Sequence, residues 1–160
     1  MTITTKPQYR QGKDVEDFLD EWFRCYGWQI ERTTAHEERV LYRGDRRFAR
    51  DGVRFFVEYK SGIQTFYTGN VFLETVSVDT QNKPGWVFTS QADFILYAAL
   101  LNEKILVFVP DRLRQRIEDL RRQFREVATS HGQNDGYKTH GVIVPLAYAE
   151  RHLAVRVLES

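Results

Sequence analysis

Three side chains in one short stretch of the chain, Asp45, Glu58 and Lys60, could together handle a phosphate ester. Glu58 and Lys60 lie two residues apart in the strand-like run VRFFVEYKS, so they share one face of the predicted strand. Asp45 belongs to the preceding run, RVLYRGDRRFA. Carboxylate oxygens are the ligands that hard divalent cations prefer, and a nearby ammonium can stabilise negative charge on a phosphate. These residue types therefore suggest metal-assisted phosphoryl chemistry, provided that Asp45 reaches the same face.

The dipeptide Asp51-Gly52 between the two runs predicts a β-hairpin with a tight turn, because a type I′ turn needs two residues at positive φ. With that turn, Asp45 lies opposite Glu58 and joins the face of Glu58 and Lys60. Two carboxylates facing each other destabilise a sheet unless a cation compensates them. A longer loop would shift this register. We interpret Asp51 as a turn residue rather than a metal ligand.

Hydrophobic periodicity and turn residues indicate the elements that must position these side chains. They predict an α/β domain around one sheet, with helices flanking it. The predicted helices are DVEDFLDEWFRCYG, TSQADFILYAALL and residues 111–128, and the predicted strands beyond the hairpin are WQIERTT, NVFLETVSV, KILVFV, GVIVPL and LAVRVL.

The composition is that of a globular domain, and we expect residues 1–160 to form one domain. Hydrophobic residues make up 42% and charged residues 28% of the 160 residues, which excludes a disordered chain. No apolar run approaches the ~20 residues of a membrane span. The start, MTITTKPQYRQGK, lacks the apolar stretch of a signal peptide, and the single cysteine, Cys25, excludes an internal disulfide. These features predict a cytoplasmic protein with no membrane partner.

Positive charge is concentrated around the hairpin although the formal net charge is only +1. From Arg39 to Lys60 there are six arginines and one lysine against three acids, a local charge of +4. Arg43 and Arg47 share the predicted face of Asp45 and would attract a polyanion. The alternative is an ordinary surface of mixed charge.

The ordered set of motifs resembles the PD-(D/E)xK nuclease superfamily, in its small phage and bacterial branch. The quoted residues are RGDRRFARDGVRFFVEYKSG, TGNVFLETVSV, KPGWVFTSQADFILY and KILVFVPDRLRQRI, and they span roughly residues 12 to 120. The pattern's acid, followed by (D/E)-x-K, reads Asp45 and then Glu58-Tyr59-Lys60. Gly44 stands where the motif's name has proline.

The resemblance implies a restriction-endonuclease-like α-β-β-β-α-β core with a mixed central sheet flanked by helices. It also implies a DNA endonuclease that hydrolyses phosphodiester bonds with Mg²⁺ or Mn²⁺. The implied catalytic residues are Asp45, Glu58 and Lys60. The implied metal ligands are Asp45, Glu58, the carbonyl of Tyr59 and, from the first helix, Glu16.

The expected partner is double-stranded DNA, bound by Arg43, Arg46, Arg47 and Arg50. We also expect a homo-oligomer, because cutting both strands of a duplex generally needs two sites, and the apolar stripe of helix 111–128 offers a surface for pairing. Two alternatives to a DNA endonuclease remain open: a non-catalytic nucleic-acid-binding or scaffold protein on the same fold, and an RNA-directed nuclease.

Three polar residues beyond the hairpin have competing interpretations. Glu74 shares a strand face with apolar residues, so it either reaches the metal site or pairs with a neighbouring arginine. Ser90 and Asp93 look like the capping pair of the second predicted helix, which makes Asp93 a cap rather than a ligand.

Overall fold

The computed structural model describes residues 12–129 and 136–160, so the N-terminal segment considered above lies almost wholly outside the described residues. None of the helices in the described part is both long and apolar enough to cross a membrane. The α-helices are α1 (Gly12–Cys25), α2 (Ala35–Arg39), α3 (Gln64–Thr68), α4 (Trp86–Thr89), α5 (Pro110–Gln123) and α6 (Leu146–Tyr148).

The strands form two sheets. They are β1 (Gln29–Arg32), β2 (Arg46–Arg50), β3 (Val53–Ser61), β4 (Asn70–Val78), β5 (Lys83–Pro84), β6 (Phe94–Ala99), β7 (Lys104–Phe108), β8 (Glu126–Thr129), β9 (Thr139–Pro145) and β10 (Arg156–Glu159). A six-stranded sheet has the order β1-β2-β3-β6-β7-β10, and a four-stranded sheet has the order β5-β4-β9-β8. The larger sheet is mixed, because β3 and β6 are parallel while its other neighbours are antiparallel. The described residues are therefore mixed α/β, as predicted, but their strands form two sheets rather than one.

The hairpin between β2 and β3 has the predicted tight turn. Asp51 and Gly52 have φ angles of 49° and 78°, and Arg50 pairs with Val53 across the turn. This register confirms the predicted pairing from Arg50 opposite Val53 to Arg46 opposite Val57, the residue pair next to Asp45 and Glu58.

The two faces of the larger sheet are covered differently. Helix α1 packs on one face, where its buried Val15 and Leu19 meet a core that includes Phe48 and Val57. On the other face, β6 and β7 pack against β4, β9 and α5 in the second core. The described elements thus cover the second face over β6 and β7, whereas side chains on that face of β1, β2 and β3 include many exposed polar groups. The boundary between the covered and the open half runs along β3.

The helix predicted over TSQADFILYAALL is wrong: its middle is the strand β6. This strand lies between β3 and β7 and is buried on both faces, and an apolar run of that kind does not distinguish a central strand from a buried helix. Ser90 and Asp93 accordingly do not cap a helix. The hydroxyl of Ser90 accepts a hydrogen bond from the backbone N–H of Ala92, and the Asp93 carboxylate accepts one from the N–H of Phe56.

The long C-terminal helix is shorter than predicted, because α5 ends at Gln123 and Val127 belongs to β8. The helix also begins one residue earlier than predicted, with Val109 at its N-cap position and Asp111 in its first turn. The apolar stripe of α5 is also not a surface for pairing with another chain. Its members are buried in the second core: Leu113, Ile117 and Leu120.

Candidate active site

Asp45, Glu58 and Lys60 line a single cleft of about 120 Å³. The cleft lies where the open half of the larger sheet meets the covered half. The remaining residues that line it are Glu38, Tyr42, Gly44, Thr89 and Ser90. The structure therefore brings together the three side chains that the sequence singled out.

The regular β2–β3 pairing ends at Arg46 and Val57, and Asp45, which directly precedes β2, makes an irregular contact with the same Val57. The N–H of Asp45 donates to the carbonyl of Val57 at 3.1 Å, and its Oδ1 accepts from the N–H of Tyr59 at 3.2 Å. The carboxylate of Asp45 thus accepts the hydrogen bond from Tyr59 that a backbone carbonyl would accept if β2 were longer. This bond fixes the side chain beside Glu58.

Gly44 allows this close approach. Its φ is +91°, and a Cβ built on it would lie 2.5 Å from the carbonyl oxygen of Val57. Any larger residue would collide with backbone rather than with a flexible side chain. Steric exclusion of a Cβ atom therefore explains why a glycine stands at position 44, where the motif's name has proline.

The environment of Asp45 disfavours its charged form. Burial is the largest effect and raises the pKa of Asp45 to about 7, with smaller contributions in the same direction from Glu16 and Glu58. The Arg46 guanidinium and the N–H of Tyr59 favour the carboxylate but do not outweigh burial. Asp45 is therefore a carboxylate that a further positive charge would stabilise.

Glu58 and Lys60 form an ion pair inside the cleft, with Nζ of Lys60 2.9 Å from Oε1 of Glu58. The ammonium also lies 5.9 Å from the centroid of the Trp86 ring. Both side chains remain partly accessible, at 30% for Lys60 and 17% for Glu58. The pair holds the ammonium at a fixed place in the cleft while a ligand can still reach it.

The prediction of Arg46 as a DNA-binding residue is not compatible with its position, because it is only 2% exposed. Residues alternate along β2, and this parity turns Arg46 away from the cleft toward α1. Its Nε donates to Asp20 at 3.0 Å, its Nη2 to Glu16 at 3.1 Å and its Nη1 to the carbonyl of Asp45 at 3.1 Å. The phenol of Tyr59 donates to the same Asp20 carboxylate at 2.9 Å. Arg46 therefore supports the site from behind.

Glu16, expected as a metal ligand from the first helix, binds arginines in the structure. Its Oε2 lies 3.1 Å from Arg46 and 3.2 Å from the exposed Arg32. It reaches Asp45 through Arg46, and direct metal binding by Glu16 stays a prediction.

The remaining predicted arginines lie on opposite faces of the hairpin. Arg43 packs over the ring of Phe56 at 5.1 Å, and Arg47 pairs with Glu31 at 3.0 Å, both on the face of the cleft. Arg50 lies on the face of α1, where it stacks on Trp28 at 4.2 Å. Arg50 is therefore not part of one surface with Arg43 and Arg47.

Glu74 belongs to β4 in the second sheet. Its Oε1 accepts a hydrogen bond of 3.3 Å from the N–H of Trp86, the first residue of α4. Because the Trp86 ring lies near Lys60, Glu74 supports a wall of the cleft. It is not among the residues that line the cleft.

Sequence reasoning missed the residues of α2 and the loop after it. Glu38 and Tyr42 line the cleft, and Tyr42 has a φ of +53°. The signal for α2 was present, because Thr34 and Glu37 form a capping box in which each side chain binds the backbone of the other. The sequence carried no comparable signal for the conformation of Tyr42.

The donor set of the cleft fits a hard divalent cation that keeps part of its water shell. Among the described residues, no three or more His, Cys, Asp or Glu side chains form a group that could hold a metal ion. The available donors are the carboxylates of Asp45 and Glu58 and the carbonyl of Tyr59. That carbonyl points to the edge that holds Asp45, because the N–H and C=O of one strand residue point to the same side. Mg²⁺ is typically held by one or two carboxylates and keeps several waters.

No protein-family model matches the chain, and a comparison with curated proteins gives no significant match. Among solved structures, the chain is similar to the bacterial homing endonuclease I-Ssp6803I, at 20% identity and a TM-score of 0.49. The similarity covers 70% of this chain and 73% of that one.

Proposed function

We propose that the chain is a divalent-metal-dependent endonuclease that hydrolyses phosphodiester bonds in double-stranded DNA. The observation that carries this proposal is the convergence of Asp45, Glu58 and Lys60 in one accessible cleft. The pattern of these residues resembles that of the PD-(D/E)xK nucleases, and their geometry suits the same chemistry.

Asp45, Glu58 and the carbonyl of Tyr59 would hold the ion, Mg²⁺ or Mn²⁺. Such an ion, when bound, polarises a phosphate and lowers the pKa of a bound water. The raised pKa of Asp45 supports this assignment, because a buried carboxylate next to a second carboxylate needs a positive charge to ionise fully.

Lys60 would stabilise the negative charge that develops on the phosphate as the ester bond breaks. Its ion pair with Glu58 positions the ammonium before substrate arrives. Arg46 holds the backbone carbonyl of Asp45, and through Asp20 and Glu16 it ties β2 to α1. These contacts keep the acid that belongs to β2 in place against the two groups from β3.

The exposed arginines Arg43 and Arg47, on the sheet face that carries the cleft, support a nucleic acid as the substrate, and duplex DNA is the one that we propose. Guanidinium groups bind phosphate oxygens with a planar fork of donors. The positive charge around the hairpin would thus attract the phosphates of a duplex.

A direct test is to incubate the protein with supercoiled plasmid, single-stranded DNA and RNA, each with Mg²⁺, Mn²⁺ or EDTA. We expect nicking or linearisation of plasmid with either metal and none with EDTA. The Lys60→Ala variant serves as the control for a contaminating nuclease and should be inactive. Preferential cleavage of RNA would show that RNA, not DNA, is the substrate. Tight plasmid binding with no cleavage under any condition would show that the chain is a non-catalytic binding protein.

A further inference from the structure

A second, larger cleft lies beside the candidate active site on the same face of the larger sheet. It has a volume of about 670 Å³ and is formed by β1, β2 and β3 together with the segment before β6. Its polar lining includes Gln29, Glu31, Arg47, Arg54 and Gln91. Apart from Arg47, which is proposed above to attract phosphates, these side chains have no part in the proposed function.

The strand register explains why these side chains share a face with the active site. Arg54 and Phe56 precede Glu58 on β3 at intervals of two residues, and Arg47 is the β2 partner of Phe56. Gln29 lies on β1 opposite Ala49. One continuous surface therefore runs from the catalytic cleft toward the hairpin turn.

The chemistry of this surface is that of hydrogen-bond readout. Gln29, Arg54 and Gln91 are exposed, and their side chains form no hydrogen bond or ion pair with any residue that the structure describes. Arginine pairs with the O6 and N7 atoms of guanine, and glutamine pairs with the N6 and N7 atoms of adenine. Two acids are also present: Glu31 pairs with Arg47, and Asp93 accepts from the backbone of Phe56. Glutamines contribute little to non-specific phosphate attraction, so a surface of this composition favours base edges over phosphates alone.

Distances along β3 relate this surface to the cleavage point. Arg54 lies four residues before Glu58, which corresponds to roughly 13 Å at about 3.3 Å per residue. Stacked base pairs are about 3.4 Å apart, so roughly 13 Å spans about four base pairs. Arg47, level with Phe56, lies about half as far from Glu58. A two-stranded ribbon such as β2–β3 also has the dimensions that the major groove admits.

We infer that the exposed face of β1, β2 and β3 reads base edges in the major groove about two to five base pairs from the cut phosphate. Arg54 and Gln29 are its principal specificity-determining residues. This inference rests on the proposed function for the position of the cut, whereas the base readout itself can be tested by binding alone.

The test uses a pool of DNA duplexes with a randomised central segment and the full-length protein. Bound duplexes are selected in EDTA and sequenced, and cleavage positions in the same pool are mapped with Mg²⁺. We expect enrichment of a short motif, with the cut two to five base pairs away from it. Arg54→Ala should reduce the preference at one or two positions of this motif by about 5- to 150-fold, the range of one good bidentate contact.

Arg151→Ala is the matched control, because this exposed arginine lies between β9 and β10, outside the polar cleft, and carries the same charge. It should leave the motif unchanged. Cleavage without base preference, or a motif that is insensitive to both Arg54→Ala and Gln29→Ala, would overturn the inference while the endonuclease stands. A selected motif that depends on Arg54 but is never cut would uphold the inference and refute the proposed activity. Failure to bind duplex DNA, or selective binding of RNA instead, would overturn the inference.

Discussion

Asp45 is the residue at which burial and charge oppose each other most clearly. Its carboxylate is fixed by the N–H of Tyr59, yet burial raises its pKa to about 7. The Arg46 guanidinium offsets this effect only in part, and Lys60 is paired with Glu58. The apo site therefore holds an acid whose charge is poorly balanced.

Replacing Asp45, Glu58 or Lys60 singly by Ala should abolish detectable cleavage with little loss of secondary structure. The two acid variants should also bind Mg²⁺ or Mn²⁺ more weakly, because too few oxygen ligands remain. Lys60→Ala should keep metal binding while the rate falls by at least about 100-fold, since the lost charge acts mainly at the transition state. Plasmid nicking and titration calorimetry with Mn²⁺ measure the two effects.

The control for this series is Asp51→Asn, which preserves the left-handed turn residue at φ 49° and should remain active. An inactive Asp51→Asn variant beside an active Asp45→Ala variant would transfer the role of metal ligand to Asp51.

The stability of the metal-free protein should depend on Asp45 between about pH 4 and pH 7. The folded pKa of about 7 lies above the ordinary value of 3.8, so the folded state binds the proton more tightly than the unfolded state does. The contribution of Asp45 is therefore most favourable below pH 4 and is lost as the pH rises through 7, by about 4 kcal/mol. Urea unfolding in EDTA at several pH values would measure it. Asp45→Asn should remove this part of the pH dependence, and an unchanged profile would show that Asp45 is ionised at ordinary pH.

At the scale of elements, the β2–β3 hairpin carries all three proposed catalytic side chains, and α1 supports it from behind. The connection between hairpin and helix is formed by the buried Arg46 and Tyr59 with the partly buried Asp20 and Glu16. A buried charge of this kind is costly when one partner is removed. The geometry of the cleft thus depends on how the hairpin is held as well as on its own residues.

Gly44→Ala should damage both activity and stability more than Gly52→Ala. Both glycines have positive φ, so each substitution costs about 1–2 kcal/mol for the left-handed backbone. Only at Gly44 would the new Cβ also collide with the backbone of Val57, whereas nothing lies within 4 Å of it at Gly52. The collision should separate Asp45 from β3. Unfolding and nicking assays on the two variants check this, and equal effects would show that β2 shifts at no cost.

Local chemistry made the hairpin predictable, and long-range pairing made the second sheet unpredictable. The Asp51-Gly52 turn fixes the register within a few residues, and that register placed Asp45 beside Glu58. The same register, applied residue by residue, also turns Arg46 and Arg50 to the opposite face, although both were grouped with the DNA-binding arginines. By contrast, β4 pairs with β9 about seventy residues later, and nothing in the sequence of β4 indicates which strand it pairs with. The apolar character of β6 reports burial but not the type of element.

At the scale of the whole molecule, the larger sheet has two exposed regions of different character. One is the polar face beside the active site. The other, on the side of α1, is an apolar cleft of about 690 Å³ whose lining includes Trp22, Tyr26, Trp28 and Val155. Tyr26 is 59% exposed and Val155 is 39% exposed.

We predict that the protein is a homo-oligomer, because one cleft per chain must otherwise cut two strands in succession. The apolar cleft beside α1 replaces the stripe of α5 as the candidate contact surface, since that stripe is buried. Light scattering at micromolar concentration should give a molar mass of more than one chain, and Val155→Glu should reduce that molar mass. A monomer that cuts both strands efficiently would contradict this prediction.

DNA affinity should fall steeply with salt, and Arg43 and Arg47 should carry part of that dependence. Each phosphate contact contributes a slope of about −0.9 in a plot of log K against log salt. The Arg43→Ala/Arg47→Ala double variant should therefore have a slope shallower by up to about 1.8. Fluorescence anisotropy at several salt concentrations measures it. An unchanged slope would move the phosphate contacts elsewhere, with the Arg-rich α5 as the next surface to test.

The two-residue turn at Asp51-Gly52 has a consequence for how this sequence can change over generations. Exposed loop tips usually tolerate insertions, because few contacts are lost there. Here a change that shifted β2 by one residue against β3 would exchange its two faces, bringing Arg46 into the cleft and removing Asp45 from it. Insertions and deletions at this turn are therefore tolerated only if they keep each β2 side chain on its present face of the sheet. Related sequences that keep the cleft should vary the length of the turn only in this way.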